Sequence, residues 1–304
     1  MQISLIKFTT TNLLALHSNS KTKIMLSPKL NIEGVHNTLV NGIRNFVDKI
    51  GAKGVVLGLS GGIDSAVVAA LAVEALGSNR VYGFMMPSEF STSHSIKDAV
   101  DLAENLKMGY KIIPIAKMFN DYTEALADVF GPDNKWNVAE ENLQARIRGT
   151  LLMAYSNKFG YLLLNTSNKS ELSTGYGTLY GDLAGAAMVI ADLYKCEVYE
   201  LAHYLNRNGV VIPENTITKA PSAELREGQK DSDSLPDYSI LDPLLYALNE
   251  GGQTPEQLIE AGYNKADVER IVSLRRGAAF KVAQIPPIFN VSEKPLVYKE
   301  KCLL

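Results

Sequence analysis

The sequence has 304 residues, 46% apolar and 21% charged, enough to bury a core in one large domain or two small ones at roughly 100 to 200 residues per domain. Its 30 basic and 33 acidic side chains leave a net charge of -3, which argues against a general affinity for nucleic acid phosphates. Two cysteines, Cys196 and Cys302, exclude a disulfide framework or a Cys-x-x-Cys pair, and no apolar run approaches the roughly 20 residues of a membrane span, so the chain reads as soluble and cytoplasmic.

Residues 1 to 30 hold no acidic side chain, and Lys7, Lys21, Lys23 and Lys29 surround the short apolar run Leu13 to Leu16. That run is too short for a targeting segment, and the stretch reads as a disordered extension or as an annotated start ahead of Met25. Ile32, Val35, Leu39, Ile43, Phe46, Val47 and Ile50 then recur at three- and four-residue intervals, which predicts a helix ending near Gly51. Val55 to Leu59 is a short β-branched run and predicts a buried strand, followed by an alanine-rich helix over Ser65 to Leu76.

The unit repeats with a strand at Val81 to Met86, a helix from about Ser95 to Leu106 and a strand at Lys111 to Ile115. A longer helix over Val138 to Lys158 and a fourth strand at Tyr161 to Asn165 follow. Alternating strands and helices predict an α/β fold with a doubly wound parallel sheet, because right-handed crossovers bury such runs on both faces. Residues 168 to 192, with Gly175, Gly177, Gly181 and Gly185, read as loop plus short helix. Four prolines and many charges between Pro213 and Pro243 predict a loop, either a cover for a substrate or a surface connection. Residues 254 to 280 return to helical spacing and predict a terminal helix pair.

Ser60-Gly61-Gly62-Ile63-Asp64-Ser65 lies between the first strand and its helix, where a doubly wound sheet binds ligands. The glycines let backbone N–H groups approach an anion, the hydroxyls of Ser60 and Ser65 add hydrogen bonds, and the helix directs its positive end to the same point. It is neither a Walker A loop nor a dinucleotide Gly-x-Gly-x-x-Gly. Asp64 would repel phosphates unless a cation lay between, which implies magnesium; the alternative is an ordinary helix N-cap.

SGGIDS after a strand resembles the signature of the ATP pyrophosphatase loop family, whose members cleave ATP to AMP and pyrophosphate on a sheet of the adenine nucleotide alpha hydrolase-like type. The longer resemblance, over about residues 31 to 276, is to NAD synthetases, in particular the synthetase domain of the glutamine-dependent enzymes. It rests on Glu141 to Gly149 (ENLQARIRG), Asn165 to Glu171 (NTSNKSE), Leu179 to Asp182 (LYGD), Asp192 to Lys195 (DLYK) and Ala220 to Leu225 (APSAEL). The resemblance implies a synthetase domain over residues 31 to 290 and a C-terminal tail over 291 to 304.

What the resemblance implies for the site falls on particular positions. ATP, a co-substrate, would contact Gly58, Ser60, Gly61, Gly62, Asp64, Ser65, Met85, Thr166, Lys195 and Ser222, with adenine near Phe84 to Pro87. Asp64 and Glu171 would share magnesium, and Lys195 would neutralise phosphate charge as pyrophosphate leaves. Taken alone, Glu171 fits a helix cap and Lys195 a solvated helix face equally well. Asn142, Arg146, Glu171, Asp182, Arg275 and Arg276 match positions near the dinucleotide substrate, although a basic helix C-terminus is an equally good account of Arg275 and Arg276. Arg146 and Arg148, two apart, point in different directions on a helix, so one binds substrate while the other packs or meets a second subunit. Leu179 and Ala186 stand where ammonia-dependent relatives have a lysine and an aspartate, so those contacts do not carry over.

The reaction implied is amidation of deamido-NAD to NAD through an adenylated acid, with Asp64, Glu171 and Lys195 as its catalytic groups. Only 59 residues precede Ser60, and neither cysteine suits an amidase, so direct use of ammonia is expected, or delivery by a separate glutaminase. Homodimers are the family's habit. Another ATP pyrophosphatase, a tRNA-thiolating or GMP synthetase-like enzyme, is the alternative within the fold, and a nucleotide-binding regulator without turnover the alternative outside it.

Overall fold

The computed structural model describes residues 30–131, 135–297 and 303. The N-terminal extension expected over 1 to 30 and Cys302 lie outside them, apart from Leu30. Helix α1 (Ile32–Ile50) follows its apolar spacing and stops at Gly51, whose left-handed backbone donates to the carbonyls of Val47 and Asp48. Strand β1 (Gly54–Gly58), helix α2 (Ile63–Leu76), strand β2 (Val81–Met85), helix α3 (Ser93–Asn105) and strand β3 (Gly109–Ile112) form two successive strand–helix–strand units. Helices α4 (Ala116–Phe130) and α5 (Val138–Phe159) lead to strand β4 (Tyr161–Asn165), short helix α6 (Lys169–Thr174) and strand β5 (Ala187–Met188). Helices α7 (Lys195–Leu205), α8 (Glu214–Thr218), α9 (Tyr238–Asn249), α10 (Pro255–Glu260) and α11 (Lys265–Val282) complete the described chain.

Among the described residues the strands form one parallel sheet in the order β3-β2-β1-β4-β5. The chain winds outward from β1 to β3, then restarts beside β1 with β4. That reversal opens a crevice at the carboxyl ends of β1 and β4. Alternate residues of β1 serve different cores: Val55 and Leu57 join α1, α2 and α7 on one face, while Val56 joins Phe84, Ile147, Leu152 and Leu163 under α5 on the other. A doubly wound α/β sheet is therefore present, as the alternation in the sequence predicts.

Several elements depart from expectation. The third strand runs over Gly109–Ile112 rather than Lys111 to Ile115, although Ile113 and Ile115 beyond it still donate to the Met85 and Pro87 carbonyls at 2.8 and 2.9 Å. The second helix begins at Ile63, and the third at Ser93 behind the Thr92 cap. Helix α4 has no counterpart in the sequence reading, although Phe119, Tyr122, Leu126 and Val129 recur at helical spacing; of its side chains only Phe119 is buried. Strand β5 lies within the stretch read as loop. The loop expected from Pro213 to Pro243 is broken by α8 and ended by α9, which starts at the Asp237 cap and holds Pro243 inside it. Leu241, Leu244 and Leu245 are fully buried there, and their burial outweighs the one hydrogen bond that Pro243 forfeits. Val291 and Ser292, expected in a tail, both donate backbone N–H to Asp192 Oδ2, at 2.8 and 2.7 Å.

Candidate active site

A cavity of about 320 Å³ lies at the crevice beyond β1 and β4. The loop between β1 and α2 forms its floor. Gly61 has φ +78°, and a Cβ there would stand 2.2 Å from the Ser95 carbonyl oxygen, so only glycine fits. Ser65 Oγ accepts from the Ser60 N–H at 3.3 Å and donates to the Gly62 carbonyl at 3.0 Å, while Gly62 N–H donates to Ser60 Oγ at 3.1 Å. The first turn of α2 has no side-chain cap, which leaves its N–H groups for an anion.

Asp64 is not a cap. Its Oδ1 accepts from Asn168 Nδ2 at 2.9 Å, and its Oδ2 lies 2.5 Å from Lys195 Nζ, so the second residue of α2 meets the starts of α6 and α7. Asn168 also caps α6, and Glu171 completes that capping box by accepting the Asn168 N–H on Oε2 at 3.2 Å. Glu171 thus closes the helix with one oxygen while Oε1 faces Lys195 at 3.7 Å. Burial and the Asp64 charge push the Glu171 carboxyl up to about 8. Burial pulls the Lys195 ammonium down, but Asp64 and Glu171 outweigh it and hold that group above its ordinary range. The cluster therefore holds an ammonium and two carboxylates in contact at one wall of the cavity.

Of the other positions matched to ATP, Gly58, Ser60, Gly62, Ser65, Met85, Thr166 and Ser222 line the cavity, and so does Asp182. Gly61 does not line it but permits the turn beneath. The positions matched to the dinucleotide divide. Asn142 accepts from Thr178 Oγ1 at 2.6 Å, and Arg146 is exposed with Nε on the Leu179 carbonyl at 3.3 Å. Arg275 reaches the Leu248 carbonyl at 3.5 Å, and Arg276 is exposed. None of these four lines the cavity, nor do Leu179 and Ala186.

The structure adds residues that the motifs do not mark. Arg148, rather than Arg146, faces the cavity. Asp231 also lines the cavity, with Asp64, Glu171, Asp182 and Glu224, and Tyr176 and Tyr238 hydroxyls donate to its two oxygens at 3.2 and 2.9 Å. Lys281 Nζ donates to the Gly175 and Gly177 carbonyls at 2.8 and 2.7 Å and pins the glycine-rich segment. That segment touches α5 closely: a Cβ on Gly149 would stand 3.0 Å from the Gly181 oxygen. The loop from Lys219 to Leu225 roofs the cavity. Glu224, at φ +48°, accepts from Ser95 Oγ at 2.7 Å and from the N–H and hydroxyl of Thr92, and Lys219 pairs with Asp98 at 2.9 Å.

The donor set suits magnesium in one way. Among the described residues no group of three or more His, Cys, Asp or Glu side chains is gathered to cage a metal, but of the cavity carboxylates Asp64 and Glu171 lie together beside the anion-binding turn, while Asp182, Asp231 and Glu224 are engaged by Thr178, by Tyr176 and Tyr238, and by Ser95. Magnesium is bound through one or two carboxylates plus substrate phosphates, and Asp64 and Glu171 fit that pattern.

Comparison with known proteins gives a consistent result. Residues 35–285 match the family model for NAD synthase. The glutamine-dependent NAD(+) synthetase of Synechocystis sp. is 48% identical over 272 residues, covering 90% of this chain and 49% of that protein. The NH3-dependent NAD synthetase of Campylobacter jejuni, solved with nitrate, superposes with a TM-score of 0.69 at 34% identity, over 86% of this chain and 100% of that one. The NMN synthetase of Francisella tularensis superposes with a TM-score of 0.71 at 30% identity, over 83% and 96%. The chain spans about half the length of the curated relatives it matches.

Proposed function

The chain belongs to the NAD synthase family, and on that premise we propose that it amidates deamido-NAD to NAD with ATP, using ammonia as the immediate nitrogen source. The observation that carries this reading is the meeting of Asp64, Glu171 and Lys195 from three separate helices beside an uncapped, glycine-turned helix start. On this reading the nicotinate carboxylate attacks the α-phosphorus in line, the bond to the bridging oxygen breaks, and pyrophosphate leaves with that electron pair. Ammonia then adds to the acyl carbon of the mixed anhydride, loses a proton and expels AMP.

The chain supplies position and charge for these steps rather than a covalent nucleophile. N–H groups of the β1 to α2 turn would bind phosphoryl oxygens, and Lys195 would offset the charge that grows on departing pyrophosphate. Asp64 and Glu171 would hold the magnesium, which when bound screens the triphosphate and polarises its phosphoryl oxygens. Glu171 would release its proton as it takes up that role. The roof of Lys219 to Leu225 would exclude water from the anhydride.

Asn142, Arg146, Arg275 and Arg276 lie outside the cavity of the single chain, so they would contact the far half of the dinucleotide at a subunit boundary. A homodimer is proposed accordingly; Val129 of α4 and Val138 of α5 are 78% and 63% exposed and offer an apolar surface to a second copy. Among the described residues no helix is long and apolar enough to cross a membrane, in keeping with a cytoplasmic site of action. The NH3 dependence of the Campylobacter protein, matched over its full length, supports ammonia, while the glutamine dependence of the longer relatives supports glutamine, through a glutaminase, as the source of that ammonia.

The test incubates the purified protein with ATP, magnesium and deamido-NAD, with ammonium or glutamine in parallel, and follows NAD and AMP. NAD from ammonium alone is the expected outcome. NAD formed equally from glutamine would overturn the nitrogen assignment, and absence of both AMP and NAD would overturn the amidation reading. The likeness to NMN synthetase makes nicotinate mononucleotide the competing acid, and a higher kcat/KM for it would move the assignment to the mononucleotide.

A further inference from the structure

Helix α5 presents Ala145, Arg148, Gly149 and Leu152 to the cavity, the i, i+3, i+4, i+7 stripe of one helix face. Arg148 Nε donates to the Met86 carbonyl at 3.0 Å, which fixes the guanidinium against the end of β2. Among the described residues its Nη1 and Nη2 have no hydrogen-bond or ion-pair partner. Asp182 and Glu224 act on it only at longer range, and both are committed elsewhere: Glu224 to Ser95 and Thr92, and Asp182 Oδ1 to the Thr178 N–H at 2.5 Å. Two guanidinium groups elsewhere are filled by protein partners. Arg226 pairs with Glu141 and Asp233, and Arg80 with Asp48 and two backbone carbonyls.

Burial pulls the Arg148 guanidinium down to about 10, which still leaves it charged near neutral pH. Arg148 is half-buried at the cavity wall, its two Nη groups open to the cavity rather than to a protein acceptor, and its planar fork matches two oxygens of a carboxylate or phosphoryl group. We propose that Arg148 is a substrate-binding residue whose Nη pair takes anionic oxygen from the reactants, either a phosphoryl oxygen of the nucleotide or the carboxylate of the acid. The inference rests on the amidation reading for its second arm only. The phosphoryl arm requires only that the cavity bind nucleotide.

The test measures equilibrium binding to wild type, Arg148→Gln and Arg148→Lys with two ligand pairs that differ in the anionic group alone: AMP against adenosine, and deamido-NAD against NAD. If Arg148 binds phosphoryl oxygen, Arg148→Gln weakens AMP about 30-fold or more and adenosine less than about threefold. If it binds the carboxylate, the same loss falls on deamido-NAD and spares NAD. Arg148→Lys keeps a cation but not the fork, and it is expected to recover less than about a tenth of the lost affinity. Millimolar guanidinium added to Arg148→Ala should restore part of the affinity for the same ligand, a rescue that a packing role would not give. The proposal is overturned if all four ligands hold within about threefold, or if both members of each pair weaken together. Should wild type make no NAD, the amidation reading fails, and AMP against adenosine still judges Arg148.

Discussion

Replacing Glu171 by Gln will stabilise the protein free of metal and nucleotide, and the gain will grow with pH. Burial and the Asp64 charge raise the Glu171 carboxyl from 4.5 to about 8 in the folded chain. Between those values the folded protein retains a proton that the unfolded chain has released. Stability therefore falls as pH rises through this window, by about 1.4 kcal/mol for each pH unit, and levels off above pH 8. At pH 7 the carboxyl costs about 3 kcal/mol relative to a side chain that cannot ionise, and at pH 5 under about 1 kcal/mol. Glutamine has the same shape, its carbonyl still accepts the Asn168 N–H in the capping box, and Lys195 keeps Asp64 at 2.5 Å. Urea unfolding of both proteins with chelator present, at intervals from pH 5 to 8, measures the difference. A gain that does not change with pH, or a variant less stable than wild type at pH 8, would refute the assignment of the raised carboxyl to Glu171.

Asp64→Asn is expected to keep the fold and lower pyrophosphate release by about 10³-fold or more, since it removes the carboxylate that meets both Asn168 and Lys195; normal turnover would sink its role. Lys195→Met leaves Asp64 and Glu171 without their cation and should cut kcat more than it raises KM for ATP, read in steady-state kinetics. Gly61→Ala forces a Cβ to 2.2 Å from the Ser95 oxygen at φ +78°, so it should cost at least about 2 kcal/mol in urea unfolding and abolish nucleotide binding. Val129→Asp with Val138→Asp should shift the sedimentation coefficient from dimer to monomer; an unchanged value would place the subunit boundary elsewhere.

Local features were legible in the sequence because their cause is local. The β-branched run of β1, the paired glycines and the alanine-rich start of α2 lie within about twenty consecutive residues, and each constrains the next. Arg146 and Arg148 show where that stops. Their spacing separates them by direction but does not say which direction is inward. The small residue Gly149 beside Arg148 was the available signal, since α5 approaches Gly181 closely on that face. Helix α4 is legible in the helical spacing of Phe119, Tyr122, Leu126 and Val129, whereas β5 escaped because two residues show no alternation. Pro243 misled because proline normally ends helices, yet four buried neighbours after Asp237 hold α9 together around it.

The buried charges of this fold make a related point. Lys169 and Lys195 are the first residues of α6 and α7, and each is set between two carboxylates beside a tyrosine ring. Lys169 is fully buried, with Nζ 2.9 Å from Asp192 and 2.8 Å from Glu250, further bonds to Ser292 and the Lys294 carbonyl, and the Tyr194 ring at 5.0 Å. Every donor there has an acceptor within the protein, so the knot ties α6 to α9 and to the segment after α11 and has nothing left to bind. Lys195 has the same kind of partners, but Asp64 and Glu171 remain 17% and 16% exposed at the cavity wall. Burial of the Glu171 carboxyl, together with the Asp64 charge that one ammonium does not offset, makes Glu171 hold a proton far above the usual carboxylate range. A charge knot closed on all sides fastens the fold; the same knot opened to a cavity and left short of positive charge is a place for a cation to bind.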